Sequence, residues 1–509
     1  MNFIKHSRLH TVLAGFLAAV ILALPLAGCA QTAAVPDSSL RTESSAVTNN
    51  PAPQINPSGS AETSGQSAKK TDSAAASGSK TASETKQSQK TTTAASKTQA
   101  ASDGQTLKKT SGDALADNGV QFSVPKSFAA QSGYTYVDQR EGYNYLPDLA
   151  SRAVYKQIFE SAYKISAATT SEGYYPTQKI VVSGSRLSEA QLRVILLAFL
   201  NDNPQVFWLA NAYSYAYSND STYIQLYSVV SQPNCTAMIQ KMNQKVSAVI
   251  SAMPAGLSEL DRELYLFHYI AQNCTYNNAA VSDSSIWQAF SSYGVLIDGT
   301  AVCEGYSRAM QLLSSYAGLQ CMLLSGQSSG VNHMWNVIKI DGSWYHLDTT
   351  WGDSDTEVYN YFNLNDAAIA QSRTIFPSAS TLTDDQIDGT VGGEAAKCNL
   401  TVPVCTATAA NYFRAKAAKV SSSLEDSTVT AALTSAVQSK SSSVSFYIDE
   451  SVDFETVMAG MTTSSPYELL KCVNAVNSKQ AAGSRIDTDN LQYLGDKVNR
   501  GITLFLKYK

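Results

Sequence analysis

Residues 333–350 run His333-Met-Trp-Asn-Val-Ile-Lys-Ile340, then Asp341-Gly342, then Ser343-Trp-Tyr-His-Leu-Asp-Thr-Thr350. Asp-Gly between two β-prone runs is a strong signal for a two-residue hairpin turn. If the turn is Asp341-Gly342, Ile340 faces Ser343 and the register of every later pair follows. Asp348 then lies opposite Trp335, and His333 opposite Thr350. Side chains two residues apart share a face of a strand. His333 and Asp348 therefore project from one face as diagonal neighbours. An imidazole beside a carboxylate has the makings of a general base, because the carboxylate fixes its tautomer and stabilises the imidazolium.

Thirty residues upstream, Cys303 opens an expected helix from 303 to 317, ended by Gly318 and preceded by a Gly299-Thr-Ala-Val loop. A helix start carries partial positive charge from unpaired N–H groups. That charge favours thiolate, the nucleophilic form, and the same N–H groups suit an acyl oxyanion. Taken alone, Cys303 also reads as an ordinary buried cysteine. With the His/Asp pair, it completes the arrangement an activated cysteine requires. Strands are expected at 319–325, 333–340 and 343–350.

Four blocks carry a resemblance. Tyr293-Gly294-Val-Leu, Cys303-Glu-Gly305-Tyr306-Ser-Arg-Ala, His333-Met-Trp335-Asn336-Val and Trp344-Tyr-His-Leu-Asp348-Thr-Thr-Trp351 resemble the bacterial transglutaminase-like domain over about 255–365. Ala-Phe-Leu-x-Asp-Asn-Pro at 198–204 resembles a segment found upstream of such domains. Met334 departs from the Ala common there. The resemblance implies an α+β fold with a papain-like core, in which a helix carrying the cysteine packs on an antiparallel sheet carrying His and Asp. It implies Cys303 as nucleophile, His333 as base and Asp348 as orienting acid. It further implies that Tyr293, Gly305, Tyr306, Trp335, Asn336 and Trp351 support the cleft. The expected chemistry is amide-bond cleavage or exchange through a thioester, with no cofactor.

Other chemistries find less footing. His346 shares the face of His333, so a metal site of His333, His346 and Asp348 is conceivable, but no further ligand is evident and no metal is expected. No Gly-x-Ser-x-Gly elbow supports a serine nucleophile. Formal net charge is −5, and no basic cluster with interleaved aromatics points to nucleic acid.

Outward from this core, the ends read differently. Lys5 and Arg8 precede an apolar run from Val12 to Leu26, too short for a confident span. Leu26-Ala27-Gly28-Cys29 follows and resembles a bacterial lipobox, which implies a signal peptide at 1–28 and lipid on Cys29; a plain secretory signal is the alternative. Residues 30–120 contain no Phe, Trp or Tyr and are rich in Ser, Thr, Ala and Lys. Such a segment cannot offset its chain entropy by burial, so 29–120 is expected to be a disordered tether. The expected location is extracytoplasmic, with attachment to the cell membrane through lipid. A compartment of that kind permits disulfides among the other cysteines, though spacing gives no pairing.

Segment 121–253 reads as mixed helix and strand. Its clearest element is a helix at 187–201, with Ser188 as N-cap and Gln191 three residues on. Its Tyr-rich strands at 212–217 and 222–229 read as cross-strand or core pairs, or less simply as a ligand platform. A helix is expected from Met238 to Met253. The catalytic domain is expected at 254–390 and a small α+β module at 398–509. The leading expectation is a surface enzyme acting on protein or peptidoglycan-peptide amides. The alternative is a non-catalytic cell-wall-binding or scaffold lipoprotein using the same fold.

Overall fold

The computed structural model describes residues 32–33, 132–217, 220–353, 357–390, 395–422, 426–464 and 467–509. The expected signal peptide, Cys29, the tether apart from Thr32–Ala33, and the onset of order near Gln121 lie outside these residues. Among the described residues no helix is long and apolar enough to cross a membrane.

The N-terminal region packs helices against a small antiparallel sheet. Helix α1 (Leu149–Ala162) is capped by Asp148, whose carboxylate accepts from Ser151 N at 2.7 Å. Strand β1 (Ile180–Ser183) precedes helix α2 (Glu189–Asp202), which opens with the complete Ser188/Gln191 capping box. Strands β2 (Leu209–Tyr217) and β3 (Ser221–Ser228) form a hairpin, and β3 also pairs with β1. Tyr213 is buried and packs beside Tyr215 on the face of β2 that pairs with Ile224 and Leu226, so these tyrosines serve the core. Helix α3 (Gln232–Ala252) begins six residues before the expected Met238, because Pro233 is well tolerated in a first turn.

The central layer follows. Helix α4 (Glu259–Asn273) is capped by Ser258. Helix α5 (Cys303–Tyr316) is buried along every residue from Glu304 to Tyr316. It lies across strands β4 (Gln320–Ser328) and β5 (Val331–Ile340), which continue into β6 (Ser343–Leu347) and edge strand β7 (Arg373–Ile375). The sheet order is β6-β5-β4-β7, antiparallel throughout. Ser343 pairs with Ile340 and Leu347 with Asn336, the register that the Asp-Gly turn implies. Asp341 and Gly342 both have positive φ, 48° and 82°, as a type I′ turn requires. The second strand stops at Leu347, short of the expected Thr350. Asp348 turns its side chain back onto Trp351 N and caps a helical turn, Thr349–Gly352.

A helix buried on all sides normally carries apolar residues throughout. Helix α5 instead carries Glu304, Ser307, Arg308, Gln311 and Ser315, each of which finds a partner. Arg308 pairs with Glu304 at 2.7 Å and donates to Leu200 O at 2.9 Å. Gln311 donates to Asn201 O at 2.7 Å. Ser307 donates to Met334 O at 3.1 Å, and Asn336 of β5 returns a bond to Ser307 O at 3.0 Å. The N-terminal region thus covers the back of α5, and the sheet holds its front.

The C-terminal part has a core of its own, built on Val420, Val429, Leu433, Phe446, Val473, Ile502 and Leu504. Its sheet runs 492–496, 501–505, 443–448, 418–420, with helices 426–439, 454–462 and 468–477; Thr32–Ala33 pairs at the open edge. Cys398, Leu400, Ala410 and Phe413 pack in the first core. Residues 398–413 therefore belong to the layer before the terminal module, whose own core begins at Val420.

Gly352 ends the turn that Asp348 caps, and a Cβ there would collide with the Phe267 ring of α4. Overpacking of a rigid aromatic typically costs about 1–3 kcal/mol. Gly352→Ala is expected to lower stability by that amount in a chemical denaturation series, with a matching loss of near-ultraviolet signal. An unchanged midpoint would mean that the turn is not held in this contact.

Candidate active site

Each of the three candidate residues is delivered by a different element. Cys303 is the first residue of α5. The residue before it, Val302, is extended and offers no side-chain cap, so the N–H groups of the first turn are not claimed by one. The approach to Cys303 is fixed by a two-residue parallel pairing, Thr275–Tyr276 with Thr300–Ala301. This pairing sets Tyr276 beside the cysteine. Burial first, then the Cys303 and Asp348 charges, hold the Tyr276 phenol protonated well above its ordinary range.

His333 projects from β5 with its side chain 8% exposed, and its Nε2 lies 2.7 Å from Asp348 Oδ2. That leaves Nδ1 for the cysteine, whose side chain helps to raise the imidazole. Burial alone would lower the His333 imidazole. The Asp348 charge and hydrogen bond, with the Cys303 contact, outweigh it and push the group up to about 9. The ring stacks at 18° on Trp335, centroids 5.9 Å apart, and meets Trp351 edge-on at 6.3 Å. The imidazole is thereby held in one plane.

Asp348 has no exposed side-chain surface. Burial opposes its charge. His333 first, and then Arg373, outweigh that and hold the carboxyl below the usual carboxylate range. The arginine is a residue that the sequence reading missed. It donates from Nη2 to the same Asp348 Oδ2 at 2.8 Å, and its side chain is fully buried. Its guanidinium lies 4.9 Å from the Trp351 ring and 4.6 Å from the Tyr361 ring. Trp351 N adds a bond to Oδ1 at 3.3 Å. Tyr276 was missed for a similar reason: a single aromatic in a two-residue strand leaves no periodic trace.

The remaining expected cleft residues divide. Trp335 and Trp351 frame His333, as above. Tyr306 is buried and donates to Asp353, a carboxyl that burial pushes up to about 6. Asn336 is buried and ties α5 to the sheet through Ser307 O and Met322 O. Gly305 packs against the carbonyl of Ala289, and Tyr293 packs on Phe207, centroids 4.9 Å apart; both lie in the core rather than at the sulfur.

His346 is not brought to His333. It groups instead with Asp366 and Cys405, with ligating atoms all within 4.8 Å of one another. Trp335 Nε1 donates to its Nδ1 at 3.1 Å, so the ring proton sits on Nε2 and is given to Asp366 at 2.9 Å. Asp366 also accepts from Cys405 N at 3.0 Å. Both imidazole nitrogens are committed, which leaves no lone pair for a cation. Cys235, Cys274, Cys303, Cys321, Cys398 and Cys405 are free thiols.

Comparison with known proteins meets this geometry at one segment. Residues 250–349 match the family model described as the transglutaminase-like superfamily. The human Kyphoscoliosis peptidase is 28% identical over 107 residues, covering 19% of this chain and 16% of that protein. The mouse Kyphoscoliosis peptidase is 27% identical over the same length, with the same coverage. The chain thus spans less than a fifth of these curated relatives. A crystal structure of a TGase, 16% identical, covers 35% of this chain and 52% of its own with a TM-score of 0.21. A candidate cysteine protease from Cytophaga hutchinsonii, 11% identical, covers 42% and 79% with a TM-score of 0.19. Overlaps this loose add nothing to the geometry. The segment that matches the transglutaminase-like superfamily, residues 250–349, holds the cysteine-bearing helix and the antiparallel strands packed on it.

Proposed function

We propose that this protein is a cysteine-nucleophile enzyme that cleaves or exchanges amide bonds, with Cys303 as nucleophile, His333 as base and Asp348 as orienting acid. One observation carries the reading: the His333 imidazole, which the helix-borne Cys303 helps to raise, is hydrogen-bonded to a buried, cation-supported carboxylate.

The chemistry follows from that line. The thiol proton passes to His333 Nδ1 and the sulfur attacks the amide carbon. The carbonyl oxygen, now an anion, turns to the N–H groups at the start of α5, where the Tyr276 hydroxyl offers a further donor. The imidazolium returns its proton to the departing amine, and a thioester remains on Cys303. Water then attacks with His333 as base, releasing acid; an amine in place of water yields a new amide. Hydrolysis is the favoured outcome, since water always competes. Protein or peptidoglycan peptides at the cell surface are the proposed substrates, reached from a lipid anchor on Cys29.

Cys303→Ala is expected to abolish turnover of amide substrates and labelling by a thiol probe at neutral pH. Asp348→Asn leaves His333 without its anionic partner and is expected to slow turnover by about 10²–10⁴-fold. A wild-type Cys303 that labels no faster than a free thiol sinks the proposal.

The pH profile has a defined upper limb. Protonation of the leaving amine needs imidazolium, present below about 9 and lost above it. Turnover is expected to fall as pH rises through that value. His333 is raised in the folded state, so its pairing also adds stability that is full below its ordinary titration range and lost on the same rise. A rate that keeps climbing well past 9 contradicts this assignment.

For the anchor, fatty-acid labelling in a bacterial host is expected to tag the full chain but not its Cys29→Ser variant. Equal labelling of both would remove Cys29 from the proposal.

A further inference from the structure

We infer that Arg373 is a positioning residue that keeps the Asp348 carboxylate ionised and aimed at His333, an inference that rests on the amide-bond reading above. Arg373 lies on β7, beyond the segment that matches the family. It therefore joins Cys303, His333 and Asp348 from outside that segment.

The geometry supports the role in three ways. First, Arg373 Nη2 and His333 Nε2 donate to the same oxygen, Asp348 Oδ2, at 2.8 and 2.7 Å. The imidazole therefore shares its carboxylate with a permanent cation. Second, the guanidinium is clamped between Trp351 and Tyr361 and donates from Nη1 to Ser372 O at 3.2 Å. Its reach toward Asp348 is fixed by packing. Third, neither side chain of the pair has any contact with solvent, so water cannot replace the arginine if it is removed. A buried carboxylate that loses its cation is held far less firmly as a charge.

The titratable and charged groups facing Asp348 come from three elements: His333 of β5, Arg373 of β7, and Tyr276 of the two-residue strand, with Cys303 of α5 beyond His333 and Tyr276. Arg373 is the one among them that remains charged throughout the working pH range. Without it, Asp348 takes up a proton at a higher pH. His333 then loses its acceptor, and Cys303 loses the imidazole that takes its proton.

The test is the pH dependence of Cys303 alkylation by iodoacetamide in the full chain. Arg373→Met is expected to move the acidic limb of the profile upward by about one pH unit or more. Arg373→Lys, which retains the charge, is expected to return most of that shift. If Arg373 acts through Asp348, the Asp348→Asn and Asp348→Asn/Arg373→Met proteins should label at equal rates. The double variant also replaces both buried charges, so it should melt at a higher temperature than Arg373→Met alone.

An Arg373→Met profile that overlays the wild type overturns the inference. So does an equal loss of rate from Arg373→Met with and without Asp348, the behaviour of a merely structural residue. Should Arg373→Met alone not fold, the double variant decides: folding and labelling like Asp348→Asn support the role, and failure of either overturns it. Slow labelling of wild-type Cys303 is a separate result, since it strikes the enzymatic reading before any arginine variant is made.

Discussion

A carboxylate sealed from water persists as a charge only where the protein surrounds it with cations and N–H groups, and the arrangement around Asp348 answers that demand. Moving such a group out of water costs several kcal/mol even after relaxation. Here β5 supplies an imidazole, β7 a guanidinium, and the turn after β6 a backbone N–H. The aromatic rings of Trp351 and Tyr361 hold the guanidinium in place, so even this partner has little freedom. If any one of these elements shifted, a buried charge would lose a partner. The need to satisfy one carboxylate thus locks together the sheet, the turn and the edge strand, and the candidate cysteine is presented to that locked frame.

The helix that presents it faces a second version of the same problem. Helix α5 is buried on every side yet carries polar residues, so each must be answered locally. For Arg308 and Gln311 the answer comes from a helix terminus. The last carbonyls of α2, including Leu200 and Asn201, have no partner within their own helix. They accept from Arg308 and Gln311 of α5. The cationic Arg308 also suits the negative end of the α2 dipole. The Ala-Phe-Leu-Asn-Asp-Asn-Pro run at 198–204 is therefore placed where it can receive α5, with Pro204 beyond the last turn and Asn203 bonded back to Phe199 O at 2.7 Å. Packing between the two helices depends on unmet backbone groups as much as on apolar area.

Much of this was legible because the relevant signals are local. The Asp341-Gly342 turn fixes a register, and a register fixes which side chains share a face; the pairing of Ser343 with Ile340 propagates to Leu347 and Asn336. The capping box at Ser188 is likewise contained in four residues. The end of β6 was harder to read. A strand pattern continues through Thr350, but the Asp348 side chain competes for the backbone and bends the chain into a helical turn. Arg373 left no trace at all. It sits alone in a three-residue strand at the sheet edge, 25 positions from its partner, and only the antiparallel pairing of β7 with β4 brings the two together. Signals of that kind exist in the fold and have no counterpart in a window of sequence.

The terminal module, which matches no motif read from its sequence, still bears on the same carboxylate. Asp348 N donates to Tyr361 O at 3.0 Å, so the 359–363 segment fixes the backbone of the acid as well as the ring over Arg373. That segment is anchored in turn from the C-terminal side. Asn411 donates to Phe362 O at 3.1 Å and to Asn499 Oδ1 at 3.3 Å, and Asn499 donates to Asn360 O at 3.3 Å. Asn363 takes a positive φ of 56° there, a conformation asparagine tolerates, and donates to Glu263 of α4 and to Ala410 O. The loop behind the acid is therefore bounded by α4 on one side and by the module's 496–500 turn on the other. Ordering that loop without the module would remove the Asn499 bonds to Asn411 and to Asn360 O, and the backbone that aims Asp348 would be held by α4 and the 410–411 segment alone.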